Sequence, residues 1–191
     1  MTHKRNSNIV TPKDEWETPQ WLFDLLNQEF HFDCDAAATI ENTKCEIFFK
    51  DALLHSWTEN PSFSTKPDSG IDECGPESAM LNFYLNPPYS AVKINAFMQK
   101  AYEESQKGAL VVCLVPVSGD TWWINWTLKA QEIRYIRGRV KFVGYDEDGN
   151  RVNGSPMFSS CVVIFWQKEP EAINDMPRIG KTIEQPKRIK V

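Results

Sequence analysis

The tetrapeptide Asn86-Pro87-Pro88-Tyr89 combines groups that suit the binding of an exocyclic amine. Asn86 offers an amide oxygen. The two prolines fix φ and lack N–H groups, which leaves backbone carbonyls of the turn free to accept hydrogen bonds. Tyr89 adds a flat ring on which a base can stack while its amine donates to the turn. Asn-Pro and Pro-Pro are also common in turns that end strands, so the tetrapeptide alone leaves a catalytic turn and a structural turn as open alternatives.

The elements around this turn place it at the edge of a sheet. The apolar run 81–85 has strand length, and apolar side chains at helical spacing predict a helix over about 91–106 that stops at Gly108. The continuous apolar run 109–115 predicts a strand covered on both faces. In open α/β sheets ligands bind beyond the carboxyl ends of the strands, which is where this turn is expected to lie.

The N-terminal part of the chain predicts two further helices and a strand. Thr18 followed by Pro19 is a helix-start signal, so a helix is expected over about 19–29. A strand is expected over 30–35. The alanine-rich start of 36–48 predicts a tight turn that leads into a second helix.

The second half of the chain predicts a helix and then a succession of strands. The helix is expected over about 120–130, and the strands over 133–136, 140–143 and 161–166. Strands that alternate with helices and then follow one another indicate an α/β fold with a mostly parallel sheet, an antiparallel C-terminal edge and helices on both faces. Trp122, Trp123 and Trp126 are expected on a buried helix face rather than as a wedge into DNA.

The composition is that of one globular domain. The chain has 191 residues, 41% of them hydrophobic and 25% charged, and no apolar stretch approaches the ~18 residues of a membrane span. No apolar signal core follows Met1, so a soluble, intracellular protein is expected. The five cysteines are scattered, without a Cys-x-x-Cys pair, and the three histidines are isolated. Reduced thiols and no metal site are therefore expected.

The charge distribution points to one basic surface on an acidic protein. The formal net charge is −5, which argues mildly against nucleic acid, because a duplex is bound largely by neutralising its phosphates. Five of the six charged residues between 129 and 141 are nevertheless basic. The predicted DNA contacts are Arg134, Arg137, Arg139 and Lys141, with a solvated strand face as the alternative. Loops at 59–80 and 144–158 are placed to reach DNA grooves, although the first is acidic.

Four blocks of sequence resemble the phage-type DNA N6-adenine methyltransferases. They are Asp14-Glu15-Trp16-Glu17-Thr18-Pro19, Phe32-Asp33-Cys34-Asp35-Ala36-Ala37-Ala38, Asn86-Pro87-Pro88-Tyr89 and Gly138-Arg139-Val140-Lys141-Phe142. Their order and spacing agree with that family over about 14–166. The resemblance implies a Rossmann-like methyltransferase fold and a site-specific enzyme that uses S-adenosyl-L-methionine. It also implies methyl transfer to the N6 amine of adenine in double-stranded DNA, by direct attack of a flipped base.

The resemblance also implies roles for single residues of the catalytic turn. Asn86 and Pro87 would accept hydrogen bonds from the N6 amine, Pro88 would hold the turn, and Tyr89 would stack on the flipped base. Acceptors that draw the amine hydrogens out of the ring plane would make the nitrogen a better nucleophile, so positioning and electrostatics would supply the catalysis.

The cofactor contacts implied by the resemblance come from three places in the chain. They are Trp16, Thr18 and Pro19 near the methionine end, Asp35 and Ala36 after the first strand, and Asp51 near the adenine of the cofactor. Asp35 would contact the methionyl amino group. Alanines replace the usual glycines of the cofactor loop, which leaves the geometry of that loop open. A plain helix cap at Thr18, an exposed strand end at Asp35 and a surface aspartate at Asp51 are the alternatives.

The resemblance sets the expected organisation and leaves rival functions. A polar leader is expected over 1–13, a catalytic domain over 14–170 with an exposed loop insertion at 59–80, and a basic tail over 171–191. The rivals are a protein-glutamine or RNA amine methyltransferase, and a DNA-binding module without activity. The expected partner is double-stranded DNA, with no membrane and no metal, and the expected state is a monomer, with a dimer as the alternative. The expected setting is the cytoplasm of a bacterial host, as a phage or prophage product that serves restriction-modification or regulation.

Overall fold

A central eight-stranded sheet organises the structure. The computed structural model describes residues 14–59, 64–66, 82–146, 148, 150–154, 156–167 and 178–186. Within them the helices are α1 (Gln20–Phe30), α2 (Ala91–Ser105) and α3 (Thr121–Asn125), followed by a 3₁₀ turn at Thr127–Lys129. The strands are β1 (Cys34–Asp35), β2 (Ile47–Phe48), β3 (Ser64–Thr65), β4 (Asn82–Leu85), β5 (Leu110–Pro116), β6 (Glu132–Tyr135), β7 (Phe142–Tyr145), β8 (Arg151–Gly154), β9 (Ser160–Phe165) and β10 (Arg178–Ile179).

The order of the main sheet is β10-β6-β9-β5-β4-β1-β2-β3. Strands β2, β1, β4 and β5 run parallel to one another. Strand β9 is antiparallel to both β5 and β6, and β3 is antiparallel to β2. The α/β fold predicted from the sequence, with a mostly parallel sheet and an antiparallel C-terminal edge, is confirmed.

Strand β5 shows how the helices cover both faces of the sheet. Its alternate side chains Val111, Cys113 and Val115 belong to the core that holds α2 and α3. Val112 and Leu114 belong to the core that holds α1. All five are fully buried, which agrees with the continuous apolar run in the sequence.

The helix predicted over 19–29 is confirmed, whereas the strand predicted over 30–35 is largely wrong. Helix α1 continues to Phe30 and ends at His31, whose φ of 48° is left-handed and whose N–H donates to Asn27 O at 3.0 Å. The strand is confined to Cys34–Asp35 because the chain needs residues 31–33 to leave the helix.

The helix predicted over 36–48 is wrong. Lys44 N–H donates to the Asp35 carboxylate at 3.0 Å, so this donor is not available to a helix that would run through residue 44. Ala37 N–H also donates to the carboxylate, at 3.3 Å. Thr43 N–H donates to Thr39 O at 2.9 Å in a single turn. The segment then enters the sheet as β2.

Two C-terminal segments also differ from expectation. The strand predicted over 140–143 is β7, which pairs with β8 in a separate two-stranded hairpin rather than in the main sheet. Strand β8 lies in the expected loop 144–158. The basic tail expected over 171–191 supplies β10, which pairs with β6, and Ile183, which is buried.

The structure describes the three tryptophans of 122–126 fully, and the cysteines and the loop 59–80 only in part. Trp122 and Trp123 are buried in α3, as predicted, whereas Trp126 follows the end of that helix and is only half-buried. The four cysteines that the structure describes are free and buried, and Cys74 lies outside the described residues. The leader 1–13 and most of the loop 59–80 also lie outside them, although that loop contributes β3. In the described part of the chain no helix has the length and apolar character to cross a bilayer, and no group of histidine, cysteine and carboxylate side chains is placed to hold a metal.

Candidate active site

The turn after β4 holds Asn86 in one orientation. Its amide nitrogen donates to Trp16 O at 2.7 Å, and its Oδ1 accepts from the Tyr89 hydroxyl at 2.6 Å. Because an amide oxygen has two lone pairs, Oδ1 keeps one for a further donor. Pro87 is buried and has no N–H, while Pro88 lies beside it at the carboxyl end of β4. The turn therefore presents a fixed acceptor.

The Tyr89 ring is itself fixed by its neighbours. Phe142 and Phe158 meet it edge to face, with ring centroids 6.1 and 5.4 Å away. The hydroxyl also lies 3.3 Å from Leu114 O. Burial raises the pKa of Tyr89 well above its ordinary value, so the phenol stays protonated and remains a donor at neutral pH.

A short N-terminal segment, residues 14–18, links the turn to other elements. Asp14 accepts hydrogen bonds from Ser90 N–H at 2.7 Å and from Lys93 Nζ at 3.0 Å, at the start of α2. Thr18 Oγ1 and the Tyr84 hydroxyl share a hydrogen bond of 2.6 Å. Thr18 therefore binds β4 rather than capping α1, and this segment is fixed to both β4 and α2.

Glu17 connects the same segment to the β7–β8 hairpin. Its backbone exchanges two 3.0 Å hydrogen bonds with Val143. Its carboxylate is only 3% exposed, accepts from the Tyr145 hydroxyl at 2.8 Å and pairs with the Arg151 guanidinium. This buried charge is not predictable from local sequence, because its two partners are more than a hundred residues away.

Asp35 is a buried carboxylate at the carboxyl end of β1. It is 4% exposed, and it accepts backbone hydrogen bonds but forms no ion pair with any described residue. Burial raises its pKa to about 6, and the N–H donors of Lys44 and Ala37 lower it only in part. The positive charges of Lys44 and Lys66 also lower this pKa, but neither lysine forms an ion pair with Asp35.

These groups surround a cleft at the carboxyl ends of β1 and β4. The cleft opens to solvent. Its lining includes five of the predicted residues, which are Trp16, Thr18, Asp35, Asn86 and Pro88. It also includes Glu17, Asn42 and Lys44, which sequence reasoning did not single out. We call it the Asp35 cleft.

A second, more apolar hollow lies on the other side of Trp16. It is larger than the Asp35 cleft, and its lining includes Trp16, Tyr89, Trp122, Met157 and Phe158. Met157 stands at this hollow with 92% of its surface exposed. Trp16 lines both spaces, and the Asn86–Tyr89 turn contributes to both, so we call this second space the Tyr89 hollow.

Three predicted cofactor contacts lie outside the Asp35 cleft. Pro19 is buried immediately before α1, where its carbonyl accepts the first helical hydrogen bonds. Ala36 is fully buried, and its N–H donates to Tyr84 O at 2.8 Å. Asp51 is exposed in the turn after β2 and is not among the residues that line the cleft.

The four predicted DNA contacts have different environments. Arg134 makes a bidentate pair with Glu29, at 2.6 and 2.7 Å, and a further ion pair with Glu132. Arg137 pairs with Glu184 at 3.2 Å on the surface. Arg139 and Lys141 are exposed and form no ion pair within the part of the chain that the structure describes. These last two are the members of the set whose charge is not neutralised there.

The sheet order, the antiparallel β9 and the cleft at the strand ends define a Rossmann-like methyltransferase fold. The family model described as DNA N-6-adenine-methyltransferase (Dam) matches residues 6–182, so the chain belongs to that family. A protein of Escherichia phage T1, named DNA N-6-adenine-methyltransferase, is 27% identical over 194 aligned residues that cover 90% of this chain and 72% of the relative. The predicted family is therefore confirmed, and with it a DNA adenine N6-methyltransferase.

Proposed function

We propose that the chain transfers a methyl group from S-adenosyl-L-methionine to the N6 amine of adenine in double-stranded DNA, at specific sites. The Asp35 cleft is the proposed cofactor site and the Tyr89 hollow the proposed site of the acceptor base. The observation that carries this assignment is that Asn86 lines the Asp35 cleft while its Oδ1 accepts one hydrogen bond from Tyr89, which lines the Tyr89 hollow.

The chemistry of the Asp35 cleft fits the amino-acid end of the cofactor. Asp35 is a buried carboxylate without a cation, and the ammonium group of a methionyl end would provide one. Trp16 and Thr18 line the same cleft, and we propose that both contact the cofactor. Bound S-adenosyl-L-methionine supplies a methyl group on a positively charged sulfur, ready for transfer to an amine.

The catalytic turn would prepare the amine. Asn86 Oδ1 and Pro87 O would each accept a hydrogen bond from the amine. These bonds draw the two amine hydrogens out of the ring plane and localise the nitrogen lone pair. Trp16 O and the Tyr89 hydroxyl keep the Asn86 amide oriented before the base arrives. No covalent bond to the chain is needed. Pro88 holds the turn, and Tyr89 supplies the ring against which the base stacks.

The acceptor base must leave the duplex to reach this site. The aromatic side chains of the Tyr89 hollow would surround a flipped base with flat, apolar surfaces. Unstacking the base costs about a few kcal/mol. Arg139 and Lys141 are the proposed phosphate contacts among the described residues, because their charge is available. Since the relative comes from a phage, we place the enzyme in the cytoplasm of an infected bacterium.

Labelled S-adenosyl-L-methionine and duplex DNA of mixed sequence test the proposal. After incubation with the protein, the DNA is hydrolysed and the labelled nucleoside identified. We expect the label in N6-methyladenine. Label in protein glutamine or in RNA alone would select one of the rival methyltransferases, and binding of DNA without transfer would select the inactive binding module.

The Asn86→Ala variant tests the catalytic turn. We expect transfer to be abolished while S-adenosylhomocysteine still binds, because the amine loses an acceptor and the Asp35 carboxylate is unchanged. A melting temperature equal to that of the wild type serves as the control. Loss of cofactor binding together with unfolding would make Asn86 a structural residue instead.

A further inference from the structure

We infer that Lys44 binds the carboxylate of the amino-acid end of the cofactor, so that Lys44 and Asp35 together recognise a zwitterion. The inference rests on the proposed function, since it assumes that the Asp35 cleft receives S-adenosyl-L-methionine. It adds a binding residue that lies in none of the four blocks of the sequence that resemble the methyltransferase family.

The backbone brings these two residues together. Lys44 N–H donates to Asp35 Oδ2 at 3.0 Å, which places the start of the Lys44 side chain beside the buried carboxylate. Both residues line the Asp35 cleft, and Lys44 also lines an adjoining hollow together with Gln20 and Arg151. The turns of 36–43 return the chain to this point, where a continuous helix would have carried Lys44 away from the end of β1.

The Lys44 ammonium is poorly compensated. Within the described part of the chain it donates one hydrogen bond, a long one of 3.4 Å to the Gln20 amide oxygen, and it forms no ion pair. Glu17 is nearby, but its carboxylate is already shared by Arg151 and Tyr145. Partial burial and the Arg151 charge lower the pKa of Lys44 while Glu17 raises it. An anion beside Lys44 would relieve this deficit.

The charges of the cleft match an α-amino acid. Glu17 pairs with Arg151, Asp14 pairs with Lys93, and Glu15 is exposed. Among the charged residues of the cleft, this leaves Asp35 as the buried carboxylate and Lys44 as the partly buried ammonium that form no ion pair with a described residue. An α-amino acid carries an ammonium and a carboxylate on one carbon. Asp35 would bind the first group and Lys44 the second, so each charge would gain an ionic partner.

Two ligands that differ only in the carboxylate test the inference. S-adenosylhomocysteine has the complete amino-acid end, and its decarboxylated form keeps the amine alone. Their dissociation constants are measured by calorimetry for the wild type, Lys44→Met and Lys44→Arg. Lys129→Met is the control, because Lys129 is exposed beside α3 and stacks on Tyr102 and Trp126 instead.

We expect the wild type to bind S-adenosylhomocysteine about 10- to 100-fold more tightly than the decarboxylated ligand, as a charge-assisted hydrogen bond provides. Lys44→Met should bind the two nearly equally, Lys44→Arg should recover part of the preference, and Lys129→Met should match the wild type. A Lys44→Met variant that still prefers S-adenosylhomocysteine to the decarboxylated ligand overturns the inference. This holds also if the variant binds duplex DNA more weakly, which would place Lys44 on the DNA instead. A wild type that binds neither ligand refutes the proposed cofactor itself.

Discussion

The Tyr89 hydroxyl donates to Asn86 Oδ1 at 2.6 Å, so the ring expected to stack on the base also holds the oxygen expected to receive its amine. Tyr89 thus has two separable roles. Its hydroxyl orients Asn86, and its ring lines the hollow proposed for the base.

Substitution of Tyr89 should separate these roles. Tyr89→Phe keeps the ring and removes one hydrogen bond of about 1 kcal/mol, so we expect kcat to fall about 3- to 10-fold. Tyr89→Ala also removes the stacking surface, and its kcat/KM should fall at least about 100-fold, since stacking contributes about 1–3 kcal/mol per base. Steady-state methylation kinetics give both values. Equal losses in the two variants would show that the ring has no role beyond the hydroxyl.

Asp35→Asn should change stability in a pH-dependent way. The folded-state pKa of Asp35 is about 6, above the ordinary 3.8, so folding favours the protonated form and ionisation costs stability as the pH rises. The cost is absent below pH 4 and reaches about 3 kcal/mol above pH 6. In urea unfolding of the protein without cofactor, the free energy of unfolding of Asp35→Asn should therefore rise relative to that of the wild type between pH 4 and 7. Parallel pH profiles would contradict the buried charge.

A bound cofactor should favour the ionised form of Asp35. If Asp35 binds the cofactor ammonium, S-adenosylhomocysteine should bind the wild type less tightly as the pH falls through about 6, because the carboxylate becomes protonated. Asp35→Asn should bind weakly with a flatter pH profile. Calorimetry at several pH values provides the measurement.

The two kinds of basic residue should respond differently to substitution. Arg139→Ala should weaken duplex binding and reduce the slope of log K against log salt concentration by about 1, as expected for one lost phosphate contact. Arg134→Ala removes the bidentate pair with Glu29 and should instead lower the free energy of unfolding by about 1 kcal/mol. DNA titrations at several salt concentrations, together with urea unfolding, distinguish them. An Arg134→Ala variant of normal stability that loses one unit of salt slope would place Arg134 on the DNA.

Glu104 should stabilise the loop that follows β2. Its side chain is fully buried in α2, where it accepts from Lys100 Nζ at 2.6 Å, Lys107 Nζ at 3.2 Å and Trp57 N–H at 3.2 Å. Burial raises its pKa, but these donors outweigh burial, and the pKa is lowered overall. The stabilisation is therefore present above the ordinary pKa and disappears as the pH falls through the lowered one.

Glu104→Gln should lower the free energy of unfolding by about 2 kcal/mol at pH 7, since it removes the charge from a buried, hydrogen-bonded network. The loss should shrink below pH 4. Glu103→Gln is the matched control, because Glu103 is the exposed neighbour and bonds only Gln99 on the surface. Equal effects of the two substitutions on urea unfolding would show that the network contributes nothing.

The elements that were predicted correctly are those with strong periodicity. The apolar run of β5 and the helical spacing of α1 and α2 depend on burial, which the local sequence records directly. The wrong helix at 36–48 shows the limit of this reasoning. Alanine favours a helix, but the Asp35 carboxylate competes for the backbone donors, and that competition depends on tertiary position.

The candidate site also contains residues that the sequence predicts and residues that it does not. Asn86, Asp35 and Thr18 belong to recognisable blocks, and they line one cleft. Glu17 and Lys44 were missed because their importance comes from partners distant in sequence. Strand β8 was predictable in principle, because the Asp-Gly pair before Asn150 is typical of a hairpin turn. The prediction for that region is nevertheless a loop.

The segment 14–18 also has a consequence for the order of folding. Its hydrogen bonds to Tyr84, Asn86, Ser90 and Arg151 span 66, 70, 76 and 134 residues of chain. Contacts of such high sequence separation form late, because the intervening chain must first be ordered. During synthesis the segment 14–18 therefore reaches its final contacts only after the β7–β8 hairpin has left the ribosome, and the candidate site is completed at that point.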